Sequence, residues 1–279
     1  AARVHLTQPA LSRSIQALEE ELGQTLVDRI GKRLELSAAG RELLGRAQAL
    51  IADAAEFEAQ ARRLASGQGG QLRVGLGSGP AVLLMDALLD EAARRGPAWR
   101  MELAQGAADL LLHRLRARQL DALVVDLRSL PPAADLFVDT VHELPGAYLV
   151  RPGHPLLARV AQQGALPYAA LADWPLASTP LSDDVARLLI ARYGPAANPA
   201  QAVALRCDDL GRLIRLTQRS EAVLLAVRAC APDLVELPLD PPIQATARLG
   251  LVTLARRGLP PAVGLLRELM AQHLGPAPR

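Results

Sequence analysis

Cysteines and metal-ligand patterns are scarce in this chain of 279 residues. The two cysteines, Cys207 and Cys230, form no CxxC pair, so we expect two small buried hydrophobic residues, with a redox pair as the open alternative. The five histidines are scattered singly, and none has metal-ligand spacing to another histidine or to a cysteine. The sequence therefore predicts no bound metal and no cofactor.

Long apolar runs are missing as well. The sequence contains no stretch of about 18 apolar residues, and no charged segment followed by an apolar one stands near its start. It therefore predicts neither a membrane span nor export, and we expect the protein in the cytoplasm. Half of the residues are apolar, which excludes global disorder, and the length allows about two domains.

Catalytic and nucleotide-binding signatures are absent too. The segment GLGSGPA, residues 75–81, does not complete the dinucleotide fingerprint, because Pro80 stands where G-x-G-x-x-G needs glycine. Ser78 is not in a nucleophile elbow, because Leu76 stands where G-x-S-x-G needs glycine. No nucleophile, base and orienting group occur as a set, so we expect no enzyme. A helix start with the Ser78 hydroxyl does suit a carboxylate or sulfonate.

What is present begins with the segment HLTQPALSRSIQALEEELG, residues 5–23, which predicts a helix capped by Thr7 and followed by Gly23. Pro9 is tolerated in its first turn. The apolar residues fall at steps of four, three and four, which is one helix face: Leu11, Ile15, Leu18 and Leu22. The other face is polar and is either solvated or prepared for a partner: Gln8, Ser12, Arg13 and Gln16.

A small basic hairpin follows. Two short strand-like pieces, Leu26–Val27 and Leu34–Leu36, flank the segment DRIGKR, which holds Arg29, Lys32 and Arg33. Residues 1–65 contain nine Lys and Arg against nine Asp and Glu, so only the placement of the charge indicates DNA. An ordinary solvated hairpin is the alternative.

A long helix is predicted next, from a cap at Ser37 to about Ala65. Its apolar residues repeat at steps of four and three for about three heptads, which favours a coiled coil over a helix lying on a globular core. They are Leu43, Ala47, Leu50, Ala54, Phe57, Ala61 and Leu64. The segment SGQGG, Ser66–Gly70, then reads as a linker.

After the linker the pattern becomes alternating strands and helices, which predicts an α/β fold with a parallel sheet. The predicted strands are Leu72–Leu76, Arg100–Ala104, Leu120–Val125, Ala202–Arg206, Ala222–Val227 and Arg248–Thr253. The predicted helices are Val82–Arg95, Asp109–Arg118, Asp183–Tyr193, Asp209–Gln218 and Pro261–Leu274. The chain passes to a second lobe around Ala147–Val150 and returns near its end, so a ligand-binding cleft is expected between two lobes. His154 in RPGHPLL is expected to serve a turn.

These segments together resemble the LysR-type transcriptional regulators over essentially the whole chain. TQPALSR with LEEELG, the hairpin and the long helix resemble the DNA-binding end, while GQLRVGLGSG, LDALVV and YLVRPGHPL resemble the effector-binding end. The resemblance implies a winged helix-turn-helix, a dimerising linker helix and a two-lobed α/β domain of the periplasmic-binding-protein type, assembled as a tetramer. It also implies that the family's first helix and most of its second precede residue 1.

The same resemblance implies the site residues. DNA contacts fall on Gln8, Pro9, Ser12, Arg13, Gln16, Arg29, Lys32 and Arg33. Effector contacts fall on Ser78, Gly79, Gln105, Gly106, Ser178 and Thr179. The effector is expected to be a small organic anion, because helix starts with hydroxyl and amide groups suit one. The alternative function is a solute-binding protein of the same two-lobed fold without DNA binding.

The implied domains are residues 1–37 for DNA binding, 38–70 for the linker and 71–279 for the effector. Within the effector domain, lobe I would span 71–146 and 249–279, and lobe II would span 147–248. One stretch departs from the family pattern Val-x-x-Gly-x-Gly-Ile, because LTQRSEA has Arg219 and Glu221 at the glycine positions. We therefore expect a different turn there and a charge near the effector.

Overall fold

The computed structural model describes residues 8–30, 33–66, 71–97, 99–255 and 263–275. The chain divides into two compact units, Ala1–Gly67 and Gln68–Arg279. Each unit has its own secondary structure and is considered by itself below.

The N-terminal unit consists of a helix, a hairpin and a second, longer helix. Its elements are α1 (Gln8–Leu22), β1 (Val27–Ile30), β2 (Arg33–Leu36) and α2 (Ala38–Ser66). The predicted cap Thr7 lies outside the described residues, whereas Gly23 has the positive φ of +65° expected of a residue that ends a helix. Ser37 caps α2, because its hydroxyl accepts the N–H of Gly40 at 2.9 Å.

Helix α2 is 29 residues long, which corresponds to about 43 Å. Within its own unit it presents apolar side chains to solvent: Leu50 is 69% exposed and Ile51 is 71% exposed. Exposed apolar residues on so long a helix are typical of a surface that another helix covers. The coiled coil stays a prediction: Leu50 belongs to the predicted heptad pattern and Ile51 does not, and the side chains of Phe57, Ala61 and Leu64 lie outside the description.

The C-terminal unit is a two-lobed α/β domain. Its strands are β3 (Gln71–Leu76), β4 (Arg100–Gln105), β5 (Ala122–Asp126), β6 (Leu136–Val150), β7 (Leu176–Ser178), β8 (Val203–Arg206), β9 (Val223–Val227), β10 (Val235–Glu236) and β11 (Thr246–Leu254). Its helices are α3 (Ser78–Arg95), α4 (Ala108–Arg116), α5 (Pro155–Gln163), α6 (Asp183–Tyr193), α7 (Pro199–Ala202), α8 (Leu210–Gln218) and α9 (Val263–His273).

The strands run in the order β4-β3-β5-β11-β6-β9-β7-β8, and β10 pairs with β6. In lobe I, β3 is parallel to β4 and β5, and in lobe II, β7 is parallel to β8 and β9. The predicted parallel pairing is therefore confirmed in both lobes. The long strands β6 and β11 are antiparallel to each other and to their other neighbours, and they connect the two lobes.

The sequence predicts a passage to the second lobe around Ala147–Val150 but no strand before it, whereas strand β6 begins at Leu136. The sequence hides it because Pro145 and Gly146 interrupt the apolar pattern. At this point β6 changes its partner from β11 to β9, and a proline without an N–H is tolerated where a ladder is interrupted. Gly146 donates its N–H to the carbonyl of Ala245 at 2.8 Å, so the two chain crossings between the lobes lie side by side.

Each lobe has its own apolar core. In lobe I, helices α3 and α9 cover one face of the sheet through Leu84, Leu88 and Leu266, which are at most 1% exposed. In lobe II, Tyr148 and Leu156 are buried to the same degree. In the described part of the chain a further cluster, which includes Leu149 and Leu213 of lobe II, packs against Val82 and Leu83 of α3, so the lobes touch on one side of the space between them.

Cys230 is buried, and burial raises the pKa of its thiol to about 12. Cys207 is partly buried, and both thiols are free. These environments agree with the prediction of two small hydrophobic residues. In the part of the chain that the structure covers, no helix is both long enough and apolar enough to cross a membrane.

Candidate functional site

The polar face of α1 is open to solvent. Pro9, Ser12, Arg13 and Gln16 are all exposed on this helix, as expected of side chains that read a DNA groove. Among the described residues, the guanidinium of Arg13 has one long contact of 3.4 Å, from its Nε to the carbonyl of Pro9. Arg13 is therefore free to reach a base edge.

For the other predicted DNA contacts, the structure describes the backbone at most and not the side chains. Gln8 begins α1, Arg29 lies in β1 and Arg33 in β2, paired opposite Ile30; the positions of these three side chains are not described. Lys32 lies outside the described residues. The backbone thus places Arg29 and Arg33 at the end of the hairpin, next to its turn.

Glu19 ties the hairpin to α1. Its Oε1 accepts the N–H of Leu26 at 2.7 Å and the N–H of Val27 at 3.0 Å. Both donors lie where the first strand of the hairpin begins. The sequence does not single out Glu19, because three acids, Glu19, Glu20 and Glu21, follow one another. The carboxylate therefore sets the position of the hairpin relative to α1.

A cavity of about 700 Å³ lies between the two lobes of the C-terminal unit. It is formed by the loops that follow the parallel strands, which is where ligands bind in open α/β sheets. The lining residues of these loops are Gly77–Gly79 after β3, Gly106–Ala108 after β4, Asp126, Arg128 and Ser129 at the end of β5, Thr179–Asp184 after β7 and Asp208 after β8. Its apolar lining includes Val125, Leu225, Val227 and Leu249. This volume is that of a small-molecule site.

Four of the six predicted effector contacts line this cavity: Ser78, Gly79, Gly106 and Thr179. The other two do not. Gln105 is exposed at the end of β4, and Ser178 is fully buried, with its hydroxyl donating to the carbonyl of Leu225 at 3.0 Å. The Ser78 hydroxyl already has a partner across the cleft, because it donates to the carbonyl of Asp208 at 2.6 Å.

Four helices begin at the cavity, and their starts differ between the lobes. In lobe I, α3 follows Gly77 and α4 follows Ala107, and neither cap residue supplies a side-chain hydrogen bond. In lobe II, Ser182 accepts the N–H of Val185 in α6, and Asp209 accepts the N–H of Arg212 in α8. Lobe I therefore offers its first-turn N–H groups to a ligand, while lobe II uses part of them itself.

Seven charged side chains line the cavity, namely Asp109, Asp126, Arg128, Asp183, Asp184, Arg187 and Asp208. Four of the acids are exposed where the cavity meets solvent: Asp109, Asp183, Asp184 and Asp208. Arg187 is exposed as well and pairs with Asp184 on its own helix. Asp126 and Arg128 are partly buried and lie at the inner end, beside the crossing strands.

Asp126 and Arg128, at the end of β5, form hydrogen bonds with the start of β11. Oδ1 of Asp126 accepts the N–H of Arg128 at 3.1 Å and that of Arg248 at 3.3 Å. The Arg128 guanidinium donates to the carbonyl of Thr246 and, at 3.1 Å, to its hydroxyl. Burial raises the pKa of Asp126 above its ordinary value, although the backbone N–H bonds and the nearby guanidinium groups act in the opposite direction.

Sequence reasoning missed Arg128. It lies in a single 3-10 turn, Leu127–Ser129, where no helix or strand period marks it. The signal that could have found it is its place three residues after the end of the predicted strand Leu120–Val125, since ligands bind at the carboxyl ends of parallel strands.

The turn that carries Arg219 and Glu221 does differ from a glycine turn, because Arg219 has φ of −115°. The expected charge near the effector is not found at these positions, since neither residue lines the cavity. Glu221 instead pairs with Arg151, and its carboxylate lies 3.2 Å from Nε2 of the buried His154. His154 serves a turn, as predicted, and its Nδ1 also accepts the N–H of Leu156 to cap α5.

Among the residues that the structure describes, no group of three or more His, Cys, Asp and Glu side chains is arranged to hold a metal ion. A helix with an attached basic hairpin, and a separate two-lobed domain around a ligand-sized cavity, define a class of protein that combines DNA binding with small-molecule binding.

Comparison with known proteins identifies the family. The model of the bacterial regulatory helix-turn-helix protein, lysR family, matches residues 1–41, and that of the LysR substrate binding domain matches residues 65–275. The chain belongs to the LysR family of transcriptional regulators, with a DNA-binding helix-turn-helix and a two-lobed substrate-binding domain.

The curated relatives agree. The chain is 34% identical, over 97% of its length and 89% of the relative's, to an SDS degradation transcriptional activation protein of Pseudomonas sp.. It is 31% identical to the HTH-type transcriptional regulator IlvR of Caulobacter vibrioides, over 96% of this chain and 90% of that one. These relatives are regulators and not enzymes, as expected, and the helix-turn-helix match removes the solute-binding alternative.

Solved structures share the fold. Full-length OxyR from Pseudomonas aeruginosa has a TM-score of 0.65 at 20% identity, covering 100% of this chain and 91% of that one. Full-length CbnR in complex with its target DNA has a TM-score of 0.60 at 21% identity, covering 98% and 92%.

Proposed function

We propose that this regulator reads operator DNA with α1 and the hairpin, and that a small organic anion bound between the lobes controls it. The observation that carries the proposal is the 700 Å³ cavity at the carboxyl ends of the parallel strands of both lobes. A ligand that touches both lobes changes the equilibrium between their relative arrangements, and this change can reach the DNA-binding end.

The proposed DNA contacts are Gln8, Pro9, Ser12, Arg13, Gln16, Arg29, Lys32 and Arg33. Support comes from the exposure of Pro9, Ser12, Arg13 and Gln16 on one helix and from the position of Arg29 and Arg33 at the end of the hairpin. Arginine and glutamine can read base edges in the major groove, whereas hairpin cations suit phosphates.

The proposed effector contacts are Ser78, Gly79, Gly106 and Thr179, without Gln105 and Ser178, which do not line the cavity. The four that line the cavity belong to loops at which helices start, and the uncapped starts of α3 and α4 favour an anionic group. The apolar lining suits the organic part of the ligand. The relative named for activating SDS degradation adds sulfate esters to the carboxylates and sulfonates that merit testing.

The proposed assembly is a homotetramer built on dimers paired through α2, whose exposed leucine and isoleucine support such a contact. The proposed domains are residues 1–37, 38–70 and 71–279. Lobe I takes 71–146 and 249–279, and lobe II takes 147–248. The protein would act in the cytoplasm, because bacterial DNA is there.

Replacement of Arg13 by alanine tests the DNA half of the proposal. After selection of an operator from random-sequence DNA, we expect Arg13→Ala to lose about 1–3 kcal/mol of binding free energy and to relax the base preference at one position. The matched control is Arg46→Ala, which removes an exposed arginine of the same unit that pairs with Glu42 on α2. Equal affinity of Arg13→Ala and the wild type would contradict the assignment.

Calorimetric titration tests the effector half. Carboxylates, sulfonates and sulfate monoesters are expected to bind and to change the operator affinity, while neutral and cationic analogues are not. Binding confined to the neutral or cationic compounds would overturn the anion assignment and leave the DNA assignment intact.

A further inference from the structure

Arg128 differs from the other arginine in the cavity. Arg187 lies on α6, its side chain is 71% exposed, and it pairs with Asp184 one turn away on the same helix. Arg128 is partly buried, and its backbone is held by the carboxylate of Asp126. A partly buried guanidinium interacts with an anion more strongly than an exposed one, because water screens it less.

The guanidinium of Arg128 donates to two oxygen atoms of Thr246, one of the carbonyl and one of the hydroxyl. A guanidinium has five N–H donors in a fixed planar fork that fits the oxygen atoms of a carboxylate or sulfate. The Thr246 hydroxyl is a neutral acceptor, and hydrogen bonds to charged groups are stronger. An anion that reached the same fork would therefore replace the hydroxyl.

Thr246 lies at a place that matters for the arrangement of the lobes. It is the first residue of β11, directly after Ala245, whose carbonyl accepts the N–H of Gly146 in the other crossing strand. Two residues further on, Arg248 donates its N–H to Asp126. The bonds from Asp126 and Arg128 thus hold the start of β11 at the point where the chain returns to lobe I.

The rest of the cavity limits the ligand. Four exposed carboxylates surround the solvent side, namely Asp109, Asp183, Asp184 and Asp208. They repel a second acid group at the far end of the ligand, so a ligand with a single acid group is favoured over a dianion.

From these contacts we infer that Arg128 binds the single acid group of a monoanionic effector, and that this group replaces the Thr246 hydroxyl and loosens the start of β11. The inference rests on the proposed function, since it names the residue and the step by which the anion acts. It explains how a ligand in the cavity reaches the strand that joins the lobes.

Two substitutions with opposite expected effects test it. The probes are hexanoate and hexyl sulfate, with hexanol and hexylammonium as neutral and cationic analogues of the same length. Arg128→Gln is expected to weaken anion binding by about tenfold or more. Thr246→Val, which keeps the shape suited to a strand, is expected to strengthen it by about threefold, because the anion no longer competes with a hydroxyl. Arg116→Gln, which removes an exposed lobe I arginine paired with Asp135 outside the cavity, is the control.

Hydrogen exchange supplies the second measurement. Saturation with the bound anion is expected to speed amide exchange at residues 246–248 of the wild type, and Arg128→Gln is expected to do the same without ligand.

The outcomes separate the two proposals. If the wild type binds the anion, three results would overturn the role of Arg128 and leave the anionic effector standing. They are unchanged anion affinity in Arg128→Gln, a loss of affinity in Arg187→Gln as large as in Arg128→Gln, and weaker anion binding in Thr246→Val than in the wild type. Unchanged exchange at residues 246–248 would overturn the coupling to β11. If no carboxylate, sulfonate or sulfate ester binds the wild type, the anionic effector and the role of Arg128 both fall.

Discussion

Each lobe has a carboxylate–arginine pair just before one of its strands, but the two pairs differ in burial. In lobe I, Asp121 stands just before β5 and binds Arg73 of the adjacent strand β3; in lobe II, Glu221 stands just before β9 and binds Arg151 at the end of β6. Asp121 is 7% exposed and Glu221 is 40% exposed. The helix starts at the cavity differ too, since α3 and α4 of lobe I lack side-chain caps and α6 and α8 of lobe II have them.

This difference shows that two lobes of the same fold can have different roles in binding a ligand between them. Lobe II uses one N–H group of each helix start itself, through Ser182 and Asp209, and carries three of the four exposed carboxylates in the cavity, whereas lobe I carries Asp109. Lobe I leaves the starts of α3 and α4 without side-chain caps and places Arg128 at the inner end. Under the proposed function, the acid group is therefore expected on the side of lobe I.

The largest effect is expected when the two carboxylate–arginine pairs are broken. Asp121 accepts three hydrogen bonds from Arg73, of 2.8, 3.2 and 2.8 Å. Asp121→Ala should lower the free energy of unfolding by about 3 kcal/mol, because a largely buried partner is removed. Glu221→Ala should cost about 1 kcal/mol, because its pair is more exposed. Urea unfolding of both variants checks this order, and equal losses would contradict it.

A smaller effect is expected when the start of α4 in lobe I is given a side-chain cap like those of α6 and α8 in lobe II. Ala107 precedes α4 with φ of −65° and ψ of 147°, a conformation in which aspartate caps helices. Ala107→Asp should stabilise the fold by about 1 kcal/mol and weaken anion binding by about tenfold, because the carboxylate takes the N–H groups and adds negative charge. Thermal unfolding and calorimetry measure the two changes in the same protein.

The matched control uncaps lobe II. Asp209→Ala removes the acceptor of the Arg212 N–H, should cost about 1 kcal/mol of stability and should leave anion affinity within about twofold, since Asp209 does not line the cavity. If uncapping α8 changed affinity as much as capping α4 does, the assignment of the anion to lobe I would be wrong.

The smallest effect concerns pH. Burial raises the pKa of Asp126 in the folded protein, so the folded state holds its proton over a pH range in which the unfolded state has lost it. Stability attributable to this group is therefore present at low pH and falls as pH rises from the unfolded value through the folded one. Asp126→Asn keeps an oxygen acceptor, and its stability relative to the wild type should increase over that range. A difference that is constant with pH would contradict the prediction.

The sequence predicted most elements of the fold because their apolar periods are regular. Helix α6 begins and ends where Asp183–Tyr193 was expected, and the parallel strands follow from alternating patterns. The first part of strand β6 was not predicted, because Pro145 and Gly146 interrupt the apolar pattern where the chain crosses between the lobes, and that crossing depends on the tertiary structure. Helix α5 was not predicted because Pro155 is typical of a turn, although proline is also favoured at a helix start.

The site could be predicted only where the chain has a recognisable loop. Ser78, Gly79, Gly106 and Thr179 lie in such loops and do line the cavity. Ser178 is the last residue of β7, a strand whose three residues are all buried, whereas Thr179 follows the strand and lines the cavity. Arg128 depends on Thr246, which is far away in the chain, and no local pattern reports such a contact.

Glu19 has a consequence for the choice of operator. Its carboxylate binds the first strand of the hairpin to α1, so under the proposed function these two elements would meet DNA with a fixed spacing between them. We therefore expect the protein to favour sites whose groove width already matches that spacing, and to discriminate among sequences by their stiffness at base pairs that no side chain touches.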